Sequence, residues 1–385
     1  MALEGVRIID LSRLLPGPYC TLLLADLGAE VYKIEQPETG DYARTMRPGL
    51  FYMANRNKKS VTLDLRKESA KRVFYRLVEH CDVVVEGFRP GGAEKLGVGY
   101  EQLQRINPKI IYASISSYGQ TGPYRLLPGH DVNFQALTGA MSIKSQVDFP
   151  PVRAGIAVAD LSSGILAAFS IIAALWARER TGEGQYLDVS MADCLFSWVS
   201  FRAWDYIFHD RDMATSHVGP ANDIFTTADG RQISLGVGAE EHFWKELCKT
   251  MEKEELLGDP RYLSDALRRE NSQSLHGILK EIFKGKTFEE WSKLLTGKGI
   301  PWAPVKSLRE AFEDRHFRER EMISEIFVKD LGRNIKQVPF PVKMSKTPAK
   351  LKTSPPSIGE NTLEILTWLG YSKDDISALK REKAI

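Results

Sequence analysis

The sequence predicts an α/β fold in which helices cover a parallel sheet, followed by a smaller domain. Three observations predict it. Over the first 120 residues, short apolar runs alternate with stretches of helical spacing, the pattern of a parallel sheet with helical crossovers. The runs are apolar almost without a break, as in "DVVVEGF", and strands covered on both faces read that way. At 385 residues the chain exceeds what one core ordinarily serves, so two domains are expected.

The elements follow in order. "VRIIDLS" (6–12) is a strand, and "GPYCTLLLADLGA" (17–29) is a helix that a glycine can close. "EVYKIEQP" is a second strand ending at proline, and "SVTLDL" (60–65) a third. "KESAKRVFYRLVEHC" puts Val73, Leu77 and Val78 on one helical face, and "DVVVEGF" and "KIIYASISSYG" are two further strands. The stretch 161–180 is apolar nearly throughout, so it is expected as a buried helix, with Arg178 and Arg180 favourable at its C-terminus. "TGEGQYLDVSM" turns back into a strand. "IFTTADGRQISLGVG" reads as a hairpin turning at Asp229-Gly230. Residues 241–320 look helical and highly charged. From 338 to 360 there are five prolines in 23 residues, an extended segment ordered by packing over a surface. "NTLEILTWLGY" is an amphipathic helix after it.

Composition excludes several classes. Hydrophobic residues at 43% and charged residues at 26% suit a soluble globular enzyme, and a net charge of +2 offers no global field for nucleic acid. No run of 18 apolar residues is evident, so no membrane span is expected. The N-terminus enters a strand pattern directly, without a leader pattern. Cys20, Cys81, Cys194 and Cys248 are far apart and form no metal spacing, which reads as reduced thiols in a cytoplasmic protein. No metal site is expected.

Four places carry candidate chemistry. "PGHDVNF" (128–134) sets His130 and Asp131 side by side after a Pro-Gly turn, either as turn residues satisfying backbone or as a proton-transfer site. "AGIAVADLSSG" (154–164) puts Asp160 at the start of the apolar helix, where it could be a cap, a working carboxylate, or both. "GVGAEEHFWKELC" (236–248) offers Glu240, Glu241 and His242 at a helix start, where acids also complement the dipole. "NRNKKS" (55–60) and "EGFRPGG" (86–92) are basic clusters, either solvated charged surface or, since they sit at loops of an open parallel sheet where ligands usually bind, a site for an anion such as a diphosphate. The turn "SRLLPGPYC" is not GxGxxG, so the dinucleotide fingerprint is absent.

At this point the chain resembles the family III CoA-transferases (CaiB/BaiF), which include the α-methylacyl-CoA racemases. The resemblance covers nearly the whole chain. It rests on "LEGVRIIDLSRLLPGPYCTLLLADLGAEVYKIE", "NRNKKSVTLDL", "VVVEGFRPG", "NPKIIYASISSYGQTGPY", "GHD", "ADLSSGILAAFSIIAAL", "RTGEGQYLDVSM" and "PPSIGENTLEIL". It implies a Rossmann-like large domain with a parallel sheet, a smaller α+β domain, and two chains threaded through each other as an interlocked homodimer. The corresponding boundaries are a large domain at 1–200, a linker at 201–224, a small domain at 225–325, and a return segment with a final helix packing on the large domain at 326–385. The implied partner is an acyl-CoA thioester, with no cofactor beyond its CoA moiety, no nucleic acid and no membrane. Arg89, Lys58, Lys59, Asn55 and Arg56 are the expected CoA-binding residues.

In the transferase members, an aspartate matching Asp160 forms an acyl anhydride. In the racemases, that aspartate and a histidine matching His130 flank the α-carbon. Asp131 matches the aspartate that pairs with the catalytic one. "GAEEHFW", anchored on Phe-Trp, puts the glutamate that pairs with the histidine at Glu240, though a one-residue slip would choose Glu241. Many transferases carry tyrosine where His130 stands, and the glycine run of the formyl-CoA transferases is missing here. Both departures favour a 2-methylacyl-CoA racemase working through an enolate, with His130 and Asp160 as the two acid/bases. The alternative is a CoA-transferase using Asp160 as nucleophile, and a third reading is a catalytically idle CoA-binding protein.

Overall fold

Ile8 and Ile9 project to opposite faces of the strand Arg7–Asp10 (β1), and both are fully buried. A strand covered on both sides has no polar face, which explains its apolar run. The computed structural model describes residues 1–143, 151–210 and 219–385. In it β1 lies within a six-stranded sheet with Glu30–Glu35 (β2), Lys58–Thr62 (β3), Val83–Glu86 (β4), Ile111–Ser116 (β5) and Tyr186–Ser190 (β6). The order is β3-β2-β1-β4-β5-β6, and every pair is parallel. Register places Ile9 between Tyr32 and Val84. Chain order reverses between β1 and β4. Loops diverge at such a point and open a crevice outside the carboxyl ends of the strands.

The chain divides into two compact units. The first comprises Met1–Ser142, Arg153–Trp204 and His316–Ile385, the second Ile143–Val152 and Asp205–Arg315. Of the linker expected at 201–224, residues 211–218 lie outside the described residues. In the first unit, Tyr32, Val84 and Tyr112 pack on one sheet face with Phe74 and Leu77 of the helix Glu68–Val78. On the other face Val31, Val83 and Ala113 meet Leu24 of the helix Pro16–Asp26 and Ala167 and Ile171 of the helix Val158–Thr181.

The Val158–Thr181 helix corrects two expectations. By length and composition alone it is apolar enough to cross a bilayer, yet half of its apolar stretch is buried here, against the helix Pro16–Asp26, β5 and β6. It is not buried all round either. Ile165, Phe169, Ile172 and Trp176 form one exposed stripe, with Phe169 and Trp176 each 68% accessible. Gly164 sets the close crossing with the helix Pro16–Asp26. A Cβ on it would stand 2.8 Å from the Pro16 carbonyl oxygen and 3.0 Å from the Tyr19 ring.

The proline-rich segment runs along the exposed edge of β3. Asn57 donates its backbone N–H to the Thr353 carbonyl at 3.1 Å, and Asn361 exchanges backbone and side-chain bonds with Ser60 at 2.9 and 3.1 Å. The helix Thr362–Trp368 then packs on the sheet, with Trp368 stacked on Tyr32. An edge strand covered this way offers no template for a foreign strand.

The second unit carries a three-stranded antiparallel sheet, Ile224–Thr226 (β7), Gln232–Leu235 (β8) and Trp302–Pro304 (β9), in that order. Asp229-Gly230 makes the expected turn, with Gly230 at φ +79°. Phe225, Trp244, Phe283 and Trp291 fill its core.

Gly164→Val forces a branched side chain against backbone that cannot swing away. It should destabilise the protein by about 1–3 kcal/mol, the usual cost of overpacking, as read by urea unfolding. A midpoint equal to that of the parent chain would show that the two helices can separate freely.

Candidate active site

Loops leaving β1, β2 and β4 enclose a crevice of about 550 Å³, whose lining includes Ser12, Arg13, Glu38, Tyr42, Phe88 and Leu96. The Arg13 guanidinium lies 4.7 Å from the centroid of the Tyr42 ring and 5.5 Å from that of Phe88. Glu86 fixes the Phe88 turn. Its buried carboxylate accepts the Phe88 N–H at 2.5 Å, and burial pushes its pKa up to about 7. Arg89 is exposed on the same turn.

Of the five residues expected to bind CoA, Arg89 alone is without an ion pair or side-chain hydrogen bond among the described residues. The Lys58 ammonium is fully buried and meets Asp10 at 3.1 Å, the Pro18 carbonyl at 2.9 Å and Asn55 Oδ1 at 2.9 Å. Arg56 is buried against Asp26 at 2.6 Å and donates to Gln337 Oε1 at 2.9 Å. Asn55 is buried and donates to the Phe51 carbonyl at 3.0 Å. Lys59 bridges Glu30 and Glu364, each at 2.8 Å. Against the sequence expectation, the side chains of Lys58, Arg56 and Asn55 are buried on protein partners, and the charge of Lys59 is met by two carboxylates. Burial works against ionising Asp10, but Lys58 and Lys33 overcome it and hold that carboxyl well below the usual range.

The "PGHDVNF" turn is shaped by its glycine. Gly129 lies flat on Phe134, where a Cβ would stand 2.5 Å from the ring, and Phe134 packs edge-on against Tyr118 with centroids 5.3 Å apart. The helix Asp131–Leu137 begins at that point, and Asn133 Oδ1 accepts the His130 backbone N–H at 3.0 Å. The His130 ring is exposed. Asp131 is buried. Its Oδ1 accepts the Ala159 N–H at 2.7 Å, and its Oδ2 accepts from Gln135 Nε2. Gln135 Oε1 in turn accepts the Ala154 N–H at 2.9 Å.

This network answers the capping question. The residue preceding the Val158–Thr181 helix, Ala157, gives no side-chain cap, and Asp160 is the third residue of the first turn. Asp131 satisfies the orphan Ala159 N–H from another helix, so the Asp160 carboxyl is not needed as a cap. Asp160 is half-buried, and its pKa is pushed up to about 7 by burial first and by the Asp131 charge second, with Arg47 pulling the other way. A carboxyl poised near neutrality in a polar turn is suited to nucleophilic or proton-transfer chemistry.

Glu240 and Glu241 lie in the second unit, at the start of the helix Glu241–Thr250. Arg268 grips Glu241 in a two-point pair, at 2.7 and 3.2 Å. Glu240 is exposed, and its carboxylate has no hydrogen bond or ion pair among the described residues. That leaves Glu240 as the freer of the two acids. The sequence reading did not single out Arg13, Glu86, Gln135 or Arg47. Arg13 had a signal, since it directly follows the first strand at a carboxyl end where ligands bind. Gln135 had one too, four residues after Asp131 on a helix.

A family model described as CoA-transferase family III matches residues 3–362. The chain is 36% identical to the succinyl-CoA:glutarate CoA-transferase of Mus musculus, an alignment spanning 94% of this chain and 85% of that one. It is 33% identical to the succinyl-CoA–D-citramalate CoA-transferase of Chloroflexus aurantiacus, over 100% and 98% of the two chains. Among solved structures it is similar to a CAIB/BAIF family protein from Brucella suis, with a TM-score of 0.84 at 31% identity over 95% and 99% of the chains.

Asp131→Asn keeps an acceptor for the Ala159 N–H but removes the negative charge that, after burial, raises the Asp160 pKa. The Asp160 titration midpoint, followed by carboxyl carbon NMR, should fall from about 7 toward the usual aspartate range. An unmoved midpoint would leave burial as the whole cause.

Proposed function

The chain belongs to CoA-transferase family III, and on that premise we propose that it moves CoA from one dicarboxylic acyl-CoA to a second dicarboxylic acid through Asp160. The observation that carries this reading is the Asp160 carboxyl, released from capping by Asp131 and poised near neutrality. The two transferases named above act on succinyl-CoA with glutarate or with D-citramalate, all dicarboxylic. They favour transfer over the racemization that His130 suggests from sequence.

The chemistry needs a carboxylate and a thioester. Ionised Asp160 adds to the thioester carbonyl, forming a C–O bond, and the C–S bond breaks to release CoA thiolate and leave an anhydride. The thiolate then attacks the aspartyl carbonyl, forming an enzyme thioester and freeing the donor acid as its carboxylate. The acceptor carboxylate repeats the exchange in reverse order, and Asp160 returns ionised. N–H groups of the helix turn around Asp160 are candidate donors to the tetrahedral oxyanions. Arg89 and Arg13 are the cations offered to the CoA phosphates. His130 and Glu240 would be needed only if the α-proton moved.

The test uses succinyl-CoA with glutarate. Glutaryl-CoA should form, hydroxylamine should inactivate the protein only when acyl-CoA is present, and Asp160→Ala should bring transfer to the uncatalysed level. Deuterium wash-in at the α-carbon of a 2-methylacyl-CoA in heavy water, with no transfer to any acid, would return the racemase reading to first place.

The interlocked homodimer belongs to the same reading. The apolar stripe of the Val158–Thr181 helix, together with Phe201 at 83% accessibility, is surface that a second copy would be expected to cover. Light scattering at micromolar concentration should give twice the chain mass of 43.3 kDa, and a monomer would contradict the dimer.

A further inference from the structure

A dicarboxylic acid brings a problem to this site. One of its carboxyls must react at Asp160, while the other carries a negative charge into the neighbourhood of Asp160 and Asp131. Some cation has to receive that second charge. Several cations of the first unit are already engaged. Arg44 makes a two-point pair with Glu35, at 2.7 Å on each arm, and lies 3.8 Å over the Phe51 ring. Lys33 is buried against Asp41 at 2.9 Å and Lys58 against Asp10 at 3.1 Å. Arg13 is stacked in the crevice wall.

Arg47 differs from all of these. It is exposed, and among the described residues its guanidinium has no ion pair or hydrogen bond. Its backbone is nevertheless held firmly. Asp41 Oδ1 accepts the N–H groups of Leu14 at 3.1 Å and Ala43 at 2.9 Å, the Arg47 N–H bonds the Ala43 carbonyl at 3.2 Å, and Leu50 N–H bonds the Arg47 carbonyl at 2.9 Å. Leu14 leads directly into the helix Pro16–Asp26, whose Pro16 carbonyl abuts Gly164, one helical turn beyond Asp160. The segment that lines the crevice at Tyr42 therefore ends in an arginine whose backbone is tied, through Asp41 and Leu14, to the helix that packs on Gly164. Independently, Arg47 is the cation whose charge favours ionised Asp160.

We propose that Arg47 receives the distal carboxylate of a dicarboxylic substrate while its other carboxyl reacts at Asp160, and so sets the preference for dicarboxylic over monocarboxylic acids. The assignment rests on the transferase reading above. A guanidinium suits the task, since its planar donors meet a carboxylate at two points and it stays charged at every working pH.

The experiment compares glutarate with pentanoate, acids of equal carbon number that differ in the distal carboxylate. Each acceptor's kcat/KM is measured at the same saturating succinyl-CoA concentration, so that the ratio compares the two acceptors alone. Both acceptors need ionised Asp160, so the glutarate/pentanoate ratio cancels any loss of ionised Asp160 that follows removal of the Arg47 charge. Parent and Arg47→Met proteins are assayed side by side, with Arg47→Lys retaining the charge. The glutarate/pentanoate ratio of kcat/KM should fall by about 10- to 100-fold in Arg47→Met, the worth of one charged hydrogen-bonded pair, with partial recovery in Arg47→Lys. A ratio unchanged in Arg47→Met, while the parent transfers CoA to glutarate, overturns the Arg47 assignment and leaves the transferase reading standing. A parent protein that transfers CoA to neither acid nor any other carboxylate overturns both.

Discussion

The Asp10 carboxylate sits fully buried at the carboxyl end of β1, and much of the first unit is arranged around it. Ser12 approaches it with both its N–H and its hydroxyl, Thr21 bonds it at 2.6 Å, and Lys58 at 3.1 Å. Those four contacts tie the first loop, the Pro16–Asp26 helix and the start of β3 to one point. Lys33 extends the cluster to Asp41, whose other oxygen holds Leu14 and Ala43. Buried charges are weak evidence for stability as such, because desolvating them cancels most of the attraction. Their effect here is on register. A carboxylate and ammonium with every strong contact satisfied cannot be shifted by one residue without orphaning a charge.

That constraint reaches the Asp160 carboxyl by packing. The Pro16–Asp26 helix, anchored through Thr21, meets Gly164 at backbone contact distance, and Gly164 is one turn from Asp160. From the other side, Asp131 caps the same turn through the Ala159 N–H. Asp160 is therefore positioned by two elements that are each fixed elsewhere, while its own side chain makes no hydrogen bond or ion pair among the described residues. The side chain that caps the turn is thus a different one from the Asp160 carboxyl, and a helix N-terminus allows it because it offers more orphan N–H groups than one side chain can satisfy.

Much of the architecture was legible in sequence, because the apolar runs of β1, β2, β4 and β5 and the spacing of Val73, Leu77 and Val78 report local geometry. Charge placement was not legible. "NRNKKS" looks like a basic surface, yet Arg56 and Lys58 meet Asp26 and Asp10, 30 and 48 residues away, and no local pattern announces such partners. The exposed stripe on the Val158–Thr181 helix was hidden for the opposite reason, since a helix apolar all round carries no polar side to mark what stays uncovered. His130, Asp131 and Asp160 stood out as candidates from their turns and helix start, the resemblance gave them expected roles, and the bond from Ala159 to Asp131 supplies a physical link between the last two. Arg47 escaped notice because an exposed arginine in a loop looks ordinary until its neighbours are known.

The return segment gives the fold a history as well as a shape. Ser60, on the edge strand of the sheet, is satisfied by Asn361, 301 residues later. At synthesis rates of about 5–20 residues per second, roughly 15–60 s pass between the emergence of these two residues from the ribosome. Throughout that interval β2 and β3 can pair, but the outer edge of β3 has nothing beside it, and bare edges invite strands from neighbouring chains. For that interval the sheet of the nascent chain stands open on one side, and its yield in the cell depends on how well that edge is shielded until residues 350–361 arrive to close it.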